Sequence, residues 1–104
     1  MDVAGKKVTL VGMGKTSYAL ARLLIHLGAK PFVTECKHRK DCEDFATLFD
    51  ADGIPFECGG HSEAALHDTC LIIPSPGVPP TIPLLREAVD AGLPMMSELE
   101  FASR

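Results

Sequence analysis

The stretch Val11-Gly12-Met13-Gly14-Lys15-Thr16-Ser17 joins two glycines to a lysine and two hydroxyl residues, the types that cradle a phosphate. Glycines let a ligand approach the backbone closely. A helix opening directly afterwards offers unpaired N–H groups and a partial positive charge. The same residues also fit a tight strand-to-helix turn that holds nothing. Two better-known loops are incomplete here. Ser17 stands where the dinucleotide motif G-x-G-x-x-G ends in Gly or Ala, and Thr9 stands where an ATP-binding P-loop needs its first glycine.

Glu35 follows Gly14 by about twenty residues, the spacing at which an acid at the end of a second strand accepts hydrogen bonds from a nucleoside ribose. Its bland reading is a solvated loop carboxylate. Ser75-Pro76-Gly77 forms a stiff turn that presents a hydroxyl and backbone N–H groups, or else serves only as a connector. No nucleophile stands beside a base, no carboxylate dyad is recognisable, and His61 and His67 read as surface residues. A zinc site from Cys36, His38, Cys42 and Cys58 or His61 lacks finger-like spacing. Without C-x-x-C pairs, the four cysteines read as reduced thiols of a cytoplasmic protein. The chain therefore reads as a binding domain without catalytic machinery.

These loops need elements to hold them. Val8–Val11 reads as a buried strand, and Leu20, Leu23, Leu24 and Leu27 make the apolar face of a helix started by Thr16 or Ser17 and stopped by Gly28. Pro31–Thr34 is a second strand. Asp41 opens a helix carrying Phe45, Leu48 and Phe49, and Ile54–Cys58 is a third strand. Ser62 caps a single helical turn, and Cys70–Ile73 is the most apolar strand. Pro83 starts a helix with Leu85, Ala88 and Val89 on its inner face, and Leu93–Met96 is a last short strand. Such alternation predicts an α/β fold: a Rossmann-like open parallel sheet of about five strands, helices on both faces, in a single domain. Ligands of these sheets bind beyond the carboxyl ends of the strands, where every loop singled out above falls.

Composition narrows the partners. The chain has 104 residues, 46% of them hydrophobic, and a formal net charge of −4. Nucleic acid and anionic membranes both want clustered positive charge, so neither is expected. No apolar run approaches the roughly 20 residues of a membrane helix. Ser97-Glu98-Leu99-Glu100 fits a capping box, yet the chain ends at Arg104. A helix that has barely begun predicts a domain over residues 1–96, with 97–104 leading into a longer protein.

In order, Gly12-Met13-Gly14-Lys15-Thr16, Glu35-Cys36-Lys37, Gly59-Gly60-His61, Ser75-Pro76-Gly77-Val78-Pro79 and Ser97-Glu98-Leu99-Glu100-Phe101 resemble the N-terminal domain of the Mur ligases, above all their D-glutamate-adding branch. The resemblance covers nearly the whole chain. It implies the UDP-binding domain of an ATP-dependent ligase of peptidoglycan synthesis, acting on UDP-N-acetylmuramoyl-L-alanine. Residues 97–104 would then lead to a central domain whose G-T-N-G-K-[ST] loop takes ATP and Mg2+; a third domain receives D-glutamate. The resemblance implies no cofactor on this domain and a cytoplasmic monomer, inactive as this piece alone. Carried over, Gly14, Lys15 and Thr16 bind the diphosphate and Glu35 contacts the uridine. Cys36 stands where a hydroxyl residue is often found, and Lys37 where Arg is common. Ser75, Pro76 and Gly77 approach the sugar-diphosphate. The readings that remain beside it are an NAD(P)-binding domain of an oxidoreductase and a nucleotide-sensing regulatory module.

Overall fold

Val8, Leu10 and Val11 are at most 1% exposed, so the first strand is buried on both faces, as the middle of a parallel sheet requires. In the computed structural model, which describes residues 2–103, this strand is β1 (Lys7–Val11). Met1 and Arg104, the outer ends of the two expected segments, lie outside the described residues. Beside β1 run β2 (Lys30–Thr34) and β4 (Thr69–Pro74), with β3 (Phe56–Glu57) beyond β2. The order is β3-β2-β1-β4, and all pairs are parallel.

The expected fifth strand shrinks to one parallel bridge, Ile72 to Met95. Ile72 N–H donates to Pro94 O and Met96 N–H to Ile72 O, both at 3.0 Å. Pro94 has no N–H to offer, so no longer ladder forms there.

Helices α1 (Lys15–His26), α2 (Glu43–Ala51), α3 (Pro83–Asp90) and α4 (Glu98–Ala102) complete the fold. Val8, Leu10, Leu20, Leu24, Phe49 and Phe101 pack on one face of the sheet. Val11, Ile72, Leu84, Leu85 and Ala88 pack on the other. Helices thus cover both faces, as the alternation predicts.

The inward stripes differ in detail from the leucine spacing. On α1 the buried residues are Ser17, Leu20, Ala21 and Leu24, while Leu23 and Leu27 stay exposed. Small Ser17 and Ala21 let the helix approach the sheet closely between Leu20 and Leu24, and Leu23 and Leu27 turn outward. On α2, Ala46 and Phe49 are buried and Leu48 is not; on α3, Leu84 is buried and Val89 is exposed. Asp41 closes a short 3-10 turn (Arg39–Asp41) rather than opening α2. The N-cap of α1 is Gly14; Ser17 lies inside the first turn, accepting from Gly14 N–H at 2.8 Å. At the other end of the chain, Ser97 and Glu100 form the expected reciprocal capping box.

Candidate functional site

After β1 the chain moves outward to β2 and β3, then crosses back to place β4 on the other side of β1. The connections leaving β1 and β4 therefore start side by side at the carboxyl end of the sheet and lead to helices on opposite faces, the switch point at which such folds hold ligands. A cleft of about 610 Å³ opens there. Gly14, Lys15, Thr16, Glu35, Cys36, Lys37, Ser75, Pro76 and Gly77, all nine residues singled out in the sequence, line it.

Gly12 is what allows the two loops to meet. Its φ of +102° is one that side chains resist, and an added Cβ would lie 2.9 Å from Ser75 Oγ. Ser75 N–H also donates to Val11 O at 2.9 Å, tying the loop after β4 to the end of β1. Ser75 Oγ donates in turn to Glu98 Oε1 at 3.1 Å, so the first residue of α4 touches the wall of the cleft.

The backbone donors of the glycine loop divide into two groups. Gly12 N–H donates to Thr34 O at 2.9 Å, Met13 N–H to Glu35 Oε1 at 2.7 Å, and Gly14 N–H to Ser17 Oγ. The next three, of Lys15, Thr16 and Ser17, have no acceptor among the described residues. They are the orphan donors of the start of α1, and they border the cleft. Gly14 itself is extended, and an added Cβ would meet nothing within 4 Å. No feature of the fold requires a glycine there, so its value lies in the space it leaves.

Glu35 is not the solvated carboxylate of its bland reading. It is 6% exposed, and its second oxygen accepts from Lys37 N–H at 2.8 Å. Burial works to raise its pKa, but the N–H groups of Lys37 and Met13, with the Cys36 thiol and the Lys37 ammonium, outweigh burial and hold it below the usual range. Glu35 thus braces the glycine loop against the end of β2. The Cys36 thiol in turn has its pKa raised, first by its hydrogen bond to Glu35.

The sequence reading missed His61. It is half-buried and lines the cleft rather than sitting free at the surface. Thr34 Oγ1, 2.7 Å from its Nδ1, draws the ring inward. The signal that pointed to it was its place after Gly59-Gly60. Met13, Val78, Pro79 and Ile82 also line the cleft and give it an apolar wall. The cysteines scatter: Cys36 is at the cleft, while Cys42 and Cys58 face each other at 3.8 Å between sulfurs. Burial, then Cys42, pushes the Cys58 thiol up to about 11. Among the described residues no three His, Cys, Asp or Glu side chains converge as a metal site would require.

Two lysines and one glutamate line the cleft of a chain whose net charge is −4. A parallel α/β domain with unpaired helix N–H groups at its switch point has the layout on which nucleotide sites are commonly built. The chain is a member of the Mur ligase family: residues 6–97 match the Mur ligase MurD-like, N-terminal domain. It is 40% identical over 103 residues to the UDP-N-acetylmuramoylalanine–D-glutamate ligase of Syntrophotalea carbinolica, covering 99% of this chain and 23% of that protein. With the ligase of the same name from Chlorobaculum tepidum it shares 42% identity over 102 residues, 98% of this chain and 21% of that protein. The chain thus spans less than a quarter of the length of these relatives. The crystal structure of the UDP-N-acetylmuramate–alanine ligase MurC from Thermotoga maritima matches with a TM-score of 0.72 at 25% identity, over 91% of this chain and 21% of that one. The precorrin-2 dehydrogenase SirC, at 15% identity and a TM-score of 0.58, covers 91% of this chain and 45% of that one; it shares the fold alone.

Proposed function

We propose that this chain holds the UDP end of UDP-N-acetylmuramoyl-L-alanine for a cytoplasmic ligase that adds D-glutamate to it with ATP. The observation that carries this reading is the trio of unmet N–H groups at Lys15, Thr16 and Ser17, flanked by the Lys15 and Lys37 side chains. They suit a diphosphate, with the Thr16 hydroxyl as a further donor. Glu35 accepts the N–H groups of Met13 and Lys37 and the Cys36 thiol, which leaves one of its four lone pairs for a hydroxyl of the uridine. Cys36 and Lys37 flank the uracil side, and Ser75, Pro76 and Gly77 the sugar-diphosphate. Residues 97–104 would lead toward the part of the protein that handles ATP, Mg2+ and D-glutamate. On this reading the domain binds and orients, and the chemistry belongs to the rest of the ligase.

The test is a titration of the nitrogen-15-labelled chain, followed by amide NMR, once with UDP and once with NAD. Shifts at Lys15, Thr16, Ser17, Glu35 and Gly77 with UDP and not with NAD are expected. Shifts with NAD alone would replace the reading with a dinucleotide domain.

A further inference from the structure

We propose that His61 reads the nucleoside end of the ligand as a fixed hydrogen-bond acceptor, its proton held on Nδ1 by a relay through Thr34 to Glu57 and its bare Nε2 open to the cleft. The inference rests on the nucleotide reading above and adds a residue to it.

The tautomer follows from counting protons. Thr34 Oγ1 lies 2.6 Å from Glu57 Oε2 and 2.7 Å from His61 Nδ1. Burial works against the Glu57 charge, but hydrogen bonds from Ser62 and Thr34 outweigh it and keep the carboxyl below its usual range. Ionised Glu57 has no proton to give, so Thr34 must donate to it. A hydroxyl has one hydrogen, and Thr34 can therefore only accept from His61. Nδ1 carries the proton, and in the neutral ring Nε2 keeps a lone pair. Each bond in the chain polarises the next and makes Nε2 a better acceptor.

Nε2 is also free to act. It has no hydrogen-bond partner among the described residues, where every buried polar side-chain atom has one, so it is not sealed inside the fold. The His61 loop is zipped to the segment beside Glu35: Gly59 N–H donates to Lys37 O at 2.7 Å and Gly60 N–H to Glu35 O at 3.2 Å. His61 therefore adjoins Glu35, Cys36 and Lys37, at the end of the cleft away from Ser75. The start of α1 and the two lysines supply donors, whereas a nucleoside brings donors of its own, its ribose hydroxyls and a base N–H. An acceptor at this end answers them.

Two substitutions separate the ring nitrogens. His61→Asn places an amide near Nδ1, retaining the bond to Thr34 and deleting the cleft acceptor. His61→Gln reaches the Nε2 position and retains an acceptor there. By calorimetry, His61→Asn should weaken UDP about tenfold and leave inorganic pyrophosphate within about twofold. His61→Gln should stay within about threefold of the original chain for UDP. The original chain should lose about the same tenfold with either 2′-deoxy-UDP or N3-methyl-UDP, which tells a ribose hydroxyl from the base N–H as the donor. Equal losses for pyrophosphate and UDP in His61→Asn would make His61 a phosphate contact and overturn the proposal. Unchanged UDP binding would overturn it while leaving the nucleotide reading intact; failure of the original chain to bind either ligand would overturn that reading itself. Nitrogen NMR of the unaltered histidine needs no variant. A protonated Nδ1 and a bare Nε2 whose resonance moves on adding UDP are expected, and a bare Nδ1 would refute the relay.

Discussion

The two ends of the cleft are built on opposite plans. Where α1 begins, the useful groups are backbone donors left unmet, those of Lys15, Thr16 and Ser17, with open space above Gly14. Where β2 and β3 end, the useful groups are side chains already held within the fold: Glu35 by the N–H groups of Met13 and Lys37, Thr34 by the Glu57 and His61 side chains, Glu57 by the N–H and hydroxyl of Ser62. The first end attracts an anion because it is incomplete, and side-chain changes there leave its donors in place. The second is arranged before any ligand arrives, so a substitution there touches stability and binding together.

The sharpest break in that comparison lies within the glycine loop. Gly12→Val forces a branched side chain into a positive φ and onto Ser75 and Val78, which should cost roughly 2–5 kcal/mol of stability. At Gly14 an added Cβ meets nothing within 4 Å, so Gly14→Val should cost far less stability than Gly12→Val, at most the roughly 1 kcal/mol of a poorer N-cap. UDP binding should nonetheless vanish, because the valine fills the approach to the α1 donors. Urea unfolding and a UDP titration of both variants check the pair. Retained UDP affinity in Gly14→Val would move the phosphate away from this loop.

Glu35→Gln comes next in size. The amide offers one oxygen to two backbone N–H groups, so Met13 or Lys37 faces a nitrogen instead, at a cost of about 1–3 kcal/mol. UDP should weaken as well, in contrast to Gly14→Val, where binding and stability part company. Glu35 and Glu57 also set an acid limit. Both carboxyls sit below the ordinary value of 4.5 when folded, so the unfolded chain takes up their protons first. Their contribution is complete above pH 4.5 and declines below it, as the folded carboxyls protonate in turn. Stability measured from pH 6 down to pH 3 should fall less steeply in Glu35→Gln, and an identical slope would mean that Glu35 does not stabilise the loop.

What could be read from the sequence follows from the range of the forces involved. Strand, turn and cap signals are local, so β1, β4, the helix starting at Pro83 and the Ser97 capping box were all legible. The alternation placed the singled-out loops at the carboxyl ends of parallel strands, but it does not give the strand order that sets β4 beside β1 and brings the Gly12 and Ser75 loops together. Which helix residues face inward was less legible, because Ser17 and Ala21 are buried through close approach to the sheet, something hydrophobic periodicity does not register. His61 was missed because its partners, Thr34 and through it Glu57, come from two other strands. Glu35 was found by spacing, but its bracing role depends on N–H groups from two loops, and no spacing rule reports those.

The smallest effect belongs to Cys36, and it tests where the side-chain end of the cleft stops. Its thiol is exposed, hydrogen-bonds Glu35 and borders the cleft. Cys36→Ser replaces a weak hydrogen-bond partner with a strong one of nearly the same shape. Stability should change by no more than about 0.5 kcal/mol, as at other exposed positions. UDP affinity should rise by a few fold, within the roughly 0.5–1.5 kcal/mol of one added hydrogen bond. Both are measurable in the same titrations as the Glu35 variant. An affinity that stays level would mean that the hydroxyl, like the thiol, turns to Glu35 and not to the ligand. Recognition at this end would then rest on Glu35, His61 and the backbone, and the polar network would border the nucleoside without reaching it through Cys36.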